Sequence, residues 1–319
     1  MAGLSAAREL EKRGRSVALL DKGRGVGGRR ANRRFEGARF DTGAQFFSVR
    51  SRPFRRLLEE ELLPGGSAAI WYRKKDEAYY RGAPTMTGVP KHLAEGLDIR
   101  LSTRVVQMEP GAKEWRLISE GGEEPVAARS VLLTPPVPQT LDILSPVASR
   151  LDQEMLDFLG RISYDPSLAL LLLLEGESPV PEPGYHRPVE SEKLFWVADN
   201  RQKGISPVDG GAAVTVHGTP GFSRRRYDDP EEEVAEELLA AFEELYGSVP
   251  GGQWSVRAKQ LKKWRYARPA NPTPEGSYLL SSDRRVPPVA VAGDAFGGPR
   301  VEGAFLSGLA AAELLDSVL

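Results

Sequence analysis

MAGLSAARELEKRGRSVALLDKG, residues 1–23, is the stretch that decides the fold. Its small apolar residues recur at helical spacing over the first twelve positions, and Gly14 is suited to end that helix. Residues 16–20 then form a short apolar run that stops at Asp21, which is typical of a buried parallel strand. The predicted order is therefore helix, turn, strand and acid.

This order matches the second half of a Rossmann βαβ unit. In such a unit the third glycine of the G-x-G-x-x-G fingerprint lets the helix pack on the sheet, and an acid about 20 residues later binds the adenosine ribose. Gly3 and Asp21 fit these two roles in type and spacing. The first strand and the first two glycines would lie before Met1. An ordinary amphipathic helix followed by an unrelated strand is the alternative interpretation of this stretch alone.

Composition describes a soluble globular protein of two packed domains. The 319 residues are 40% hydrophobic and 27% charged, and the net charge is −1. This balance gives no electrostatic reason to expect nucleic acid or a membrane surface as a partner. The longest apolar run, residues 168–174, is too short to span a bilayer and suits a buried strand. We expect a cytoplasmic protein.

The residue types exclude several kinds of site. The chain has no cysteine, which rules out disulfides, thiolate metal ligands, a cysteine nucleophile and a cysteine-linked cofactor. The three histidines, His92, His186 and His217, are far apart in the sequence, so no metal centre is expected.

The C-terminal end repeats the pattern of the N-terminal end. Residues 288–292 predict a small parallel strand that ends at Gly293 and Asp294, and a helix follows from Val301. Small residues in this helix, including Gly308, predict a close approach to another backbone. The two ends are therefore expected to form one nucleotide-binding sheet.

The middle of the chain predicts a second layer. Residues 212–217 and 254–264 are expected to be strands. Residues 228–247 are expected to be a helix that Asp228 and Asp229 can cap.

Three glycine-containing sites carry the chemistry. The first is Gly3 with Asp21. In the second, Gly28 lets backbone N–H groups approach an anion and Arg29 can pair with a phosphate. The third is Gly293-Asp294, where an acid can accept hydrogen bonds from a polyol and a helix N-terminus follows. Each has a structural explanation on its own, but together they suit a long dinucleotide such as FAD.

This arrangement resembles the FAD-dependent amine oxidase superfamily, and more narrowly the renalase-like oxidases within it. The matching stretches run along nearly the whole chain: DKGRGVGGR (21–29), FDTGAQFF (40–47), TRVVQMEP (103–110), VLLTPPVPQ (131–139), DNRQKG (199–204), VHGTPGF (216–222), KKWRYA (262–267) and AGDAFGGPRVEGAFLSG (292–308).

The resemblance implies an α/β fold: a Rossmann-type FAD-binding domain, its first strand missing from the chain as written, and a second α+β substrate domain. The FAD-binding domain would comprise residues 1–50, 92–140 and 280–319. The substrate domain would comprise residues 51–91 and 141–279.

The resemblance also implies non-covalent FAD. Asp21 would bind the adenosine ribose, Asp294 the ribityl chain, and the backbone N–H groups at the start of the last helix the flavin N1 and O2, where negative charge develops. The cofactor-binding residues expected on this basis are Ala2, Gly3, Asp21, Lys22, Gly28, Arg29, Gly43, Ala44, Gln45, Val105, Thr134, Gly293, Asp294, Val301, Glu302 and Ala304.

Renalase-like enzymes oxidise 2- or 6-dihydro isomers of NAD(P)H to NAD(P)+. Hydride goes to the flavin N5, and O2 then takes the electrons and leaves as H2O2. No catalytic acid or base is required for the hydride step, and none is obvious here. The candidates for the substrate pocket are Gln45, Trp196, Asn200, Arg201, His217, Trp264 and Tyr266, with Arg201 a candidate phosphate ligand.

Three alternatives stay open at this level. A flavin amine oxidase acting on a small amine could use Trp264 and Tyr266 as an aromatic cage, although no lysine is placed persuasively beside the flavin. A non-catalytic relative that has lost FAD would fit the partial fingerprint. A flavin-free NAD dehydrogenase fits the glycine sites less well.

The start of the chain raises a further expectation. A first strand normally lies in the middle of a Rossmann sheet, and without it two parallel strands would lack a shared neighbour. We therefore expect Met1 to be an internal methionine of a longer product, and FAD affinity to be impaired in the chain as written.

Overall fold

The computed structural model describes residues 1–122, 124–208, 210–247, 254–274, 276–281 and 286–319. Its α-helices alternate with strands at both ends of the chain. They are α1 (Ala2–Lys12), α2 (Arg52–Leu57), α3 (Gly88–Ala94), α4 (Val137–Leu144), α5 (Gln153–Gly160), α6 (Pro220–Arg226), α7 (Glu231–Tyr246) and α8 (Val301–Asp316).

The strands form several small sheets and one larger sheet. They are β1 (Ala18–Leu20), β2 (Asn32–Phe35), β3 (Ala38–Asp41), β4 (Ala68–Lys74), β5 (Glu77–Gly82), β6 (Asp98–Arg100), β7 (Val105–Pro110), β8 (Trp115–Ser119), β9 (Val126–Ala128), β10 (Val131–Leu133), β11 (Tyr164–Gly176), β12 (Tyr185–His186), β13 (Leu194–Asp199), β14 (Gly211–Gly218), β15 (Trp254–Pro269), β16 (Tyr278–Leu279) and β17 (Val289–Val291).

The two ends of the chain contribute short parallel strand pairs. The helix, turn and strand predicted from residues 1–23 are α1 and β1, and β1 pairs in parallel with β6. Near the C-terminus, β17 pairs in parallel with β10 and antiparallel with β16. Within the described residues β1 and β10 belong to separate sheets.

Helices α1 and α8 pack closely because small residues lie where they meet. A Cβ added at Gly308 would be 2.1 Å from Ser5 Oγ and 2.2 Å from the carbonyl oxygen of Ala2. Ser5 Oγ also donates to the carbonyl of Phe305 at 2.9 Å. The close approach predicted for the C-terminal helix is confirmed, and its partner is the N-terminal helix.

We expect Gly308→Ala to lower the free energy of unfolding by about 2 kcal/mol, because the new methyl group must separate the two helices. Urea denaturation of the two proteins would measure the difference. Gly160→Ala is the matched control, because no atom lies within 4 Å of a Cβ at Gly160. Equal losses in the two variants would contradict the packing explanation.

The second layer is an antiparallel sheet of strand order β12-β13-β14-β11-β15. Strand β11, which lies between β14 and β15, contains the apolar run 168–174, and Leu168 to Leu174 are each at most 2% exposed. Helix α7 covers one face through Val234, Leu238 and Phe242. The apolar run is thus a buried strand, as predicted.

Helix α7 starts later than expected. It begins at Glu231 after Pro230, and no side chain caps its N-terminus. Asp228 and Asp229 instead pair with Arg265 and Arg226. The predicted capping role of the two aspartates is therefore wrong.

The predicted division into two domains remains a proposal, and the hydrophobic clusters cross it. Phe54 and Leu57 pack in one cluster with Leu4 of α1 and Phe305 of α8. Helices α4 and α5 pack in another cluster with strands β10 and β17. In the part of the chain that is described, no helix has the length and hydropathy needed to cross a membrane.

Candidate cofactor and substrate site

A cavity of about 2000 Å³ lies where the terminal strands meet the larger sheet. Ligand pockets commonly measure about 300–1,000 Å³, so this cavity has room for a long molecule and a second one beside it. All the expected cofactor-binding residues line it, from Ala2 and Gly3 to Val301, Glu302 and Ala304. Strands β1 and β10 both line it.

Arg29 and Asp294 form a two-point ion pair beside the start of α8. Arg29 Nη1 and Nη2 donate to the two carboxylate oxygens of Asp294, each at 2.6 Å. The guanidinium also lies over the ring of Tyr164, 5.7 Å from its centroid. Both charged groups keep contact with the cavity, so each can still reach a hydroxyl or phosphate oxygen of a ligand.

Asp21 lies at the end of β1, where the sequence places the ribose ligand. Its Oδ1 accepts the backbone N–H of Gly23 at 2.7 Å. This bond fixes the turn into the glycine-rich loop, and the carboxylate lines the cavity. Its role toward a ribose remains a prediction.

The segment 41–45 is held by a buried ion pair. Lys203 Nζ donates to Asp41 Oδ2 at 2.7 Å, and both side chains are fully inaccessible. Asp41 Oδ1 accepts the backbone N–H of Met86 at 3.0 Å. Burial raises the pKa of the Asp41 carboxyl and lowers the pKa of Lys203, and the partner charge opposes both shifts.

Two side chains from the larger sheet form hydrogen bonds with the carbonyl oxygen of Thr42. His217 Nε2 lies 3.1 Å from this oxygen and Trp264 Nε1 donates to it at 2.9 Å. Strands β14 and β15 thereby attach directly to the loop after β3. Both side chains line the cavity next to that loop.

Gly43 and Gln45 complete the loop. The Gly43 backbone lies so close to the Arg29 carbonyl that an added Cβ would be 1.9 Å from its oxygen, and the Ala44 N–H donates to that oxygen at 3.0 Å. Gln45 Nε2 donates to the carbonyls of Asp41 and Gly43 at 2.6 and 3.1 Å. Its Oε1 accepts Lys203 Nζ at 3.4 Å, so the amide of Gln45 is occupied within the protein.

Two substrate-pocket candidates lie away from the cavity. Asn200 is fully buried and binds the backbone of Asp41 and Ala213 and the hydroxyl of Thr215. Arg201 Nη1 donates to the carbonyl of Gly211 at 2.9 Å. Neither residue lines the cavity, because the turn after β13 directs both toward β14, and we do not retain them as pocket residues. Gln45, Trp196, His217, Trp264 and Tyr266 do line it.

Burial lowers the pKa of His217 to about 4. The folded-state pKa is thus below the unfolded value of about 6.5. The unfolded chain binds a proton between these values and the folded chain does not, so stability is intact above pH 6.5 and falls as the pH drops toward 4.

We expect the free energy of unfolding to fall by about 3 kcal/mol between pH 6.5 and pH 4 through His217. His217→Gln removes the titration while keeping an amide donor for Thr42. Urea denaturation at several pH values would compare the two proteins. Parallel pH profiles in wild type and variant would contradict this assignment.

Sequence reasoning missed several residues of the pocket. One of them is Phe46, whose ring centroid lies 5.2 Å from that of the predicted pocket residue Trp196. Trp196 in turn stacks on Tyr185, with the ring centroids 5.0 Å apart and the planes 3° apart. Further lining side chains come from β5, from residues 187–195, from the end of α6 and from β15: Tyr79, Arg187, Phe195, Tyr227, Lys263, Arg265 and Arg268. The Arg187 guanidinium lies over the Phe195 ring. Aromatic residues in FDTGAQFF and KKWRYA were the available signal.

Sequence reasoning also missed the pairing of Lys203 with Asp41, because the two lie 162 positions apart. Both are within stretches that carry the resemblance, which was the only hint. Over the described residues, no group of three or more histidine or acidic side chains could hold a metal ion.

The chemistry of the cavity fits FAD. Two separate acidic residues line it and can accept hydrogen bonds from ligand hydroxyl groups. Arg29 can bind an anion with two N–H groups, and the N-terminus of α8 lines the cavity at Val301. Asp21 and Asp294 would hold the ribose and ribityl hydroxyls. The chain has no cysteine for a thioether link.

Solved structures of flavin oxidoreductases share this fold. A protein named as a protoporphyrinogen oxidase from Exiguobacterium sp. 255-15 is 14% identical, with a TM-score of 0.71 over 99% of this chain and 96% of that chain. Putrescine oxidase bound to putrescine is 16% identical, with a TM-score of 0.67 over 99% and 97%. An oxidoreductase from Methanosarcina mazei is 15% identical, with a TM-score of 0.65 over 98% of each chain.

Family profiles match nearly the whole chain. The NAD(P)-binding Rossmann-like domain matches residues 1–61, and flavin containing amine oxidoreductase matches residues 66–315. The fold expectation of a Rossmann-type domain with a second domain is confirmed. Since the second match covers well over half of the chain, the protein belongs to the flavin-containing amine oxidoreductases and is an FAD-dependent oxidoreductase that holds its cofactor non-covalently.

Proposed function

We propose that this protein oxidises a dihydronicotinamide dinucleotide, of the 2- or 6-dihydro type, to NAD(P)+. The balanced reaction takes the dihydronicotinamide, O2 and a proton to NAD(P)+ and H2O2. FAD, when bound, supplies hydride acceptance and reoxidation by O2. The chain's residues have to bind the substrate, orient its ring and exclude water.

The observation that carries the proposal is the charge of the cavity wall contributed by residues 164–269. Its only carboxylate among the described lining residues is Asp165, which pairs with Arg224 outside the cavity. The cationic residues in the same wall are Arg187, Lys263, Arg265 and Arg268, of which Arg265 pairs with Asp228. A wall of this charge attracts a pyrophosphate and repels a protonated diamine.

Aromatic side chains supply the second requirement. Trp196, Trp264 and Tyr266 line the cavity together with the loop 43–45 that is expected to lie against the flavin. Their flat faces suit a nicotinamide ring. Trp264 is fixed by its hydrogen bond to Thr42, so its ring is oriented before a substrate enters.

Oxidation of a small amine is the second candidate, and family membership favours it. The buried lysine Lys203 does not supply the lysine expected beside the flavin of an amine oxidase. Its amino group is bound to Asp41 and Gln45, and the residue does not line the cavity.

Anaerobic mixing of the FAD-loaded protein with each substrate class tests the proposal. We expect 6-dihydro-NAD or 6-dihydro-NADP to bleach the flavin absorbance, and putrescine or a small aromatic amine to leave it unchanged. Readmitting O2 should restore the absorbance and release one H2O2 per NAD(P)+. Bleaching by the amine alone would instead establish the second candidate.

A charge variant sharpens the test. Arg187→Glu should weaken binding of the dinucleotide about tenfold or more and affect a dihydronicotinamide riboside, which carries no phosphate, far less. Arg116→Glu is a suitable control, because Arg116 is exposed and pairs with Glu109 away from the cavity. Equal effects on dinucleotide and riboside would argue against a phosphate role for this wall.

A further inference from the structure

We propose that His217 is the specificity-determining residue for the substrate ring, with Nδ1 accepting a hydrogen bond from the substrate's carboxamide N–H. This inference rests on the proposed function and names the substrate group that the site recognises by a hydrogen bond. It is carried by the hydrogen bonds of His217, by its burial and by its place on the cavity wall.

The tautomer of His217 follows from its partner. The Thr42 carbonyl can only accept, and His217 Nε2 lies 3.1 Å from it, so Nε2 carries the proton. The ring is neutral near pH 7 because burial opposes its charge. The other nitrogen, Nδ1, is therefore a hydrogen-bond acceptor with its lone pair free.

Nδ1 is available to a ligand. Over the described residues, Nδ1 has no hydrogen-bonding partner in the protein. It is also absent from the set of unpartnered polar atoms that are completely buried, so Nδ1 is accessible. His217 is 9% exposed overall and lines the cavity, so the cavity provides the remaining access to the ring. Accordingly, His217 offers the cavity an acceptor that a donor on the ligand can satisfy.

The position of His217 suits a ring substituent. It pairs with Trp196 across β13 and β14, and paired residues of antiparallel strands lie side by side on one face. The Trp196 ring lines the same cavity, as does Trp264, which shares the Thr42 carbonyl with His217. A ring held against these indoles presents its edge substituents to His217. The carboxamide of a dihydronicotinamide carries the N–H donors there.

The test compares dihydronicotinamide dinucleotides with their 3-acetylpyridine counterparts, in which a methyl group replaces the amide nitrogen and no N–H donor remains. We expect wild type to prefer the carboxamide about 10- to 100-fold in the ratio of flavin-reduction rate to KM. In His217→Phe the preference for the carboxamide over the 3-acetylpyridine substrate should fall to about one. The Thr42 carbonyl keeps its bond from Trp264 in this variant, so it is not left unpaired.

His186→Phe is the matched control. His186 bonds to Tyr246 and does not line the cavity, so this variant should keep the wild-type preference. A preference that persists undiminished in FAD-loaded His217→Phe overturns the inference and leaves the proposed function standing. Failure of every dihydronicotinamide to reduce the wild-type flavin overturns the proposed function and the inference with it.

A measurement on the wild-type protein covers the case in which His217→Phe does not fold. The chain has three histidines, so their imidazole ¹⁵N signals can be assigned individually. NAD+ should shift the unprotonated Nδ1 signal of His217 in the direction of hydrogen bonding, and 3-acetylpyridine adenine dinucleotide should not. Identical shifts with the two dinucleotides contradict the proposed contact.

Discussion

Replacing Lys203 with methionine is expected to lower the free energy of unfolding by about 3–5 kcal/mol. The variant leaves Asp41 without its ion-pair partner in a place that water does not reach. Among the described residues, the N–H of Met86 is the hydrogen-bond donor that the Asp41 carboxylate would retain. Its pKa, already raised by burial, should rise further, and the carboxyl should become protonated.

The loss should extend to the cofactor. Lys203 also donates to Gln45, so the variant loosens the loop 43–45 that lines the cavity. Purified Lys203→Met should therefore carry less FAD per chain, read from its visible absorbance, and should denature at lower urea concentration than wild type. Adding Asp41→Asn to this variant should recover part of the stability, because a neutral amide does not have to bind a proton in order to stay buried.

Lys193→Met is the control for the ion pair. Lys193 Nζ lies 3.1 Å from Glu237 Oε1, and the lysine side chain is 44% exposed. Exposed ion pairs contribute about 1 kcal/mol or less to the free energy of unfolding. A loss in Lys203→Met no larger than that in Lys193→Met would show that the buried pair does not stabilise the fold.

Gly43→Ala is expected to cost about 3 kcal/mol, because the added methyl group meets backbone. It would lie 1.9 Å from the Arg29 oxygen and 2.9 Å from the Arg29 carbonyl carbon. The turn Gly28–Arg30 resists displacement, since the N–H groups of Arg30 and Ala31 are bonded within it. The clash is relieved only if loop and turn separate, which also moves Arg29 away from Asp294.

Flavin content and urea denaturation would measure both consequences. We expect Gly43→Ala to bind FAD more weakly and to be less stable than wild type. Gly25→Ala in the neighbouring loop is the control, because no atom lies within 4 Å of a Cβ there. Normal FAD content in Gly43→Ala would show that close contact between the turn and the loop is not needed to shape the site.

Much of the architecture could be predicted from the sequence, because local periodicity reports how each segment is buried. The helix and strand of residues 1–23, the apolar strand over 168–174 and the small-residue C-terminal helix are all present. The boundaries of α7 were less accurate. Pro230 fixes the start of that helix, and the preceding aspartates pair with arginines instead of capping it.

The candidate site also contains residues that could be placed from the sequence and residues that could not. Asp21 follows the end of β1 and Asp294 follows the end of β17, so their place at one cavity could be inferred from the order of elements. Asn200 and Arg201 were misplaced because a turn residue can face either side of a sheet, and sequence spacing does not say which.

The sequence by itself determined the family, the order of helices and strands at its two ends and the glycine and acid positions that line the cavity. Only the tertiary structure decided which side chains are free to act. In the folded chain the amide of Gln45 is already hydrogen-bonded and Lys203 forms an ion pair with Asp41. The Thr42 carbonyl fixes the tautomer of His217. The physical reason is that periodicity records the burial of one segment, whereas hydrogen bonds and ion pairs join groups that are distant in the chain.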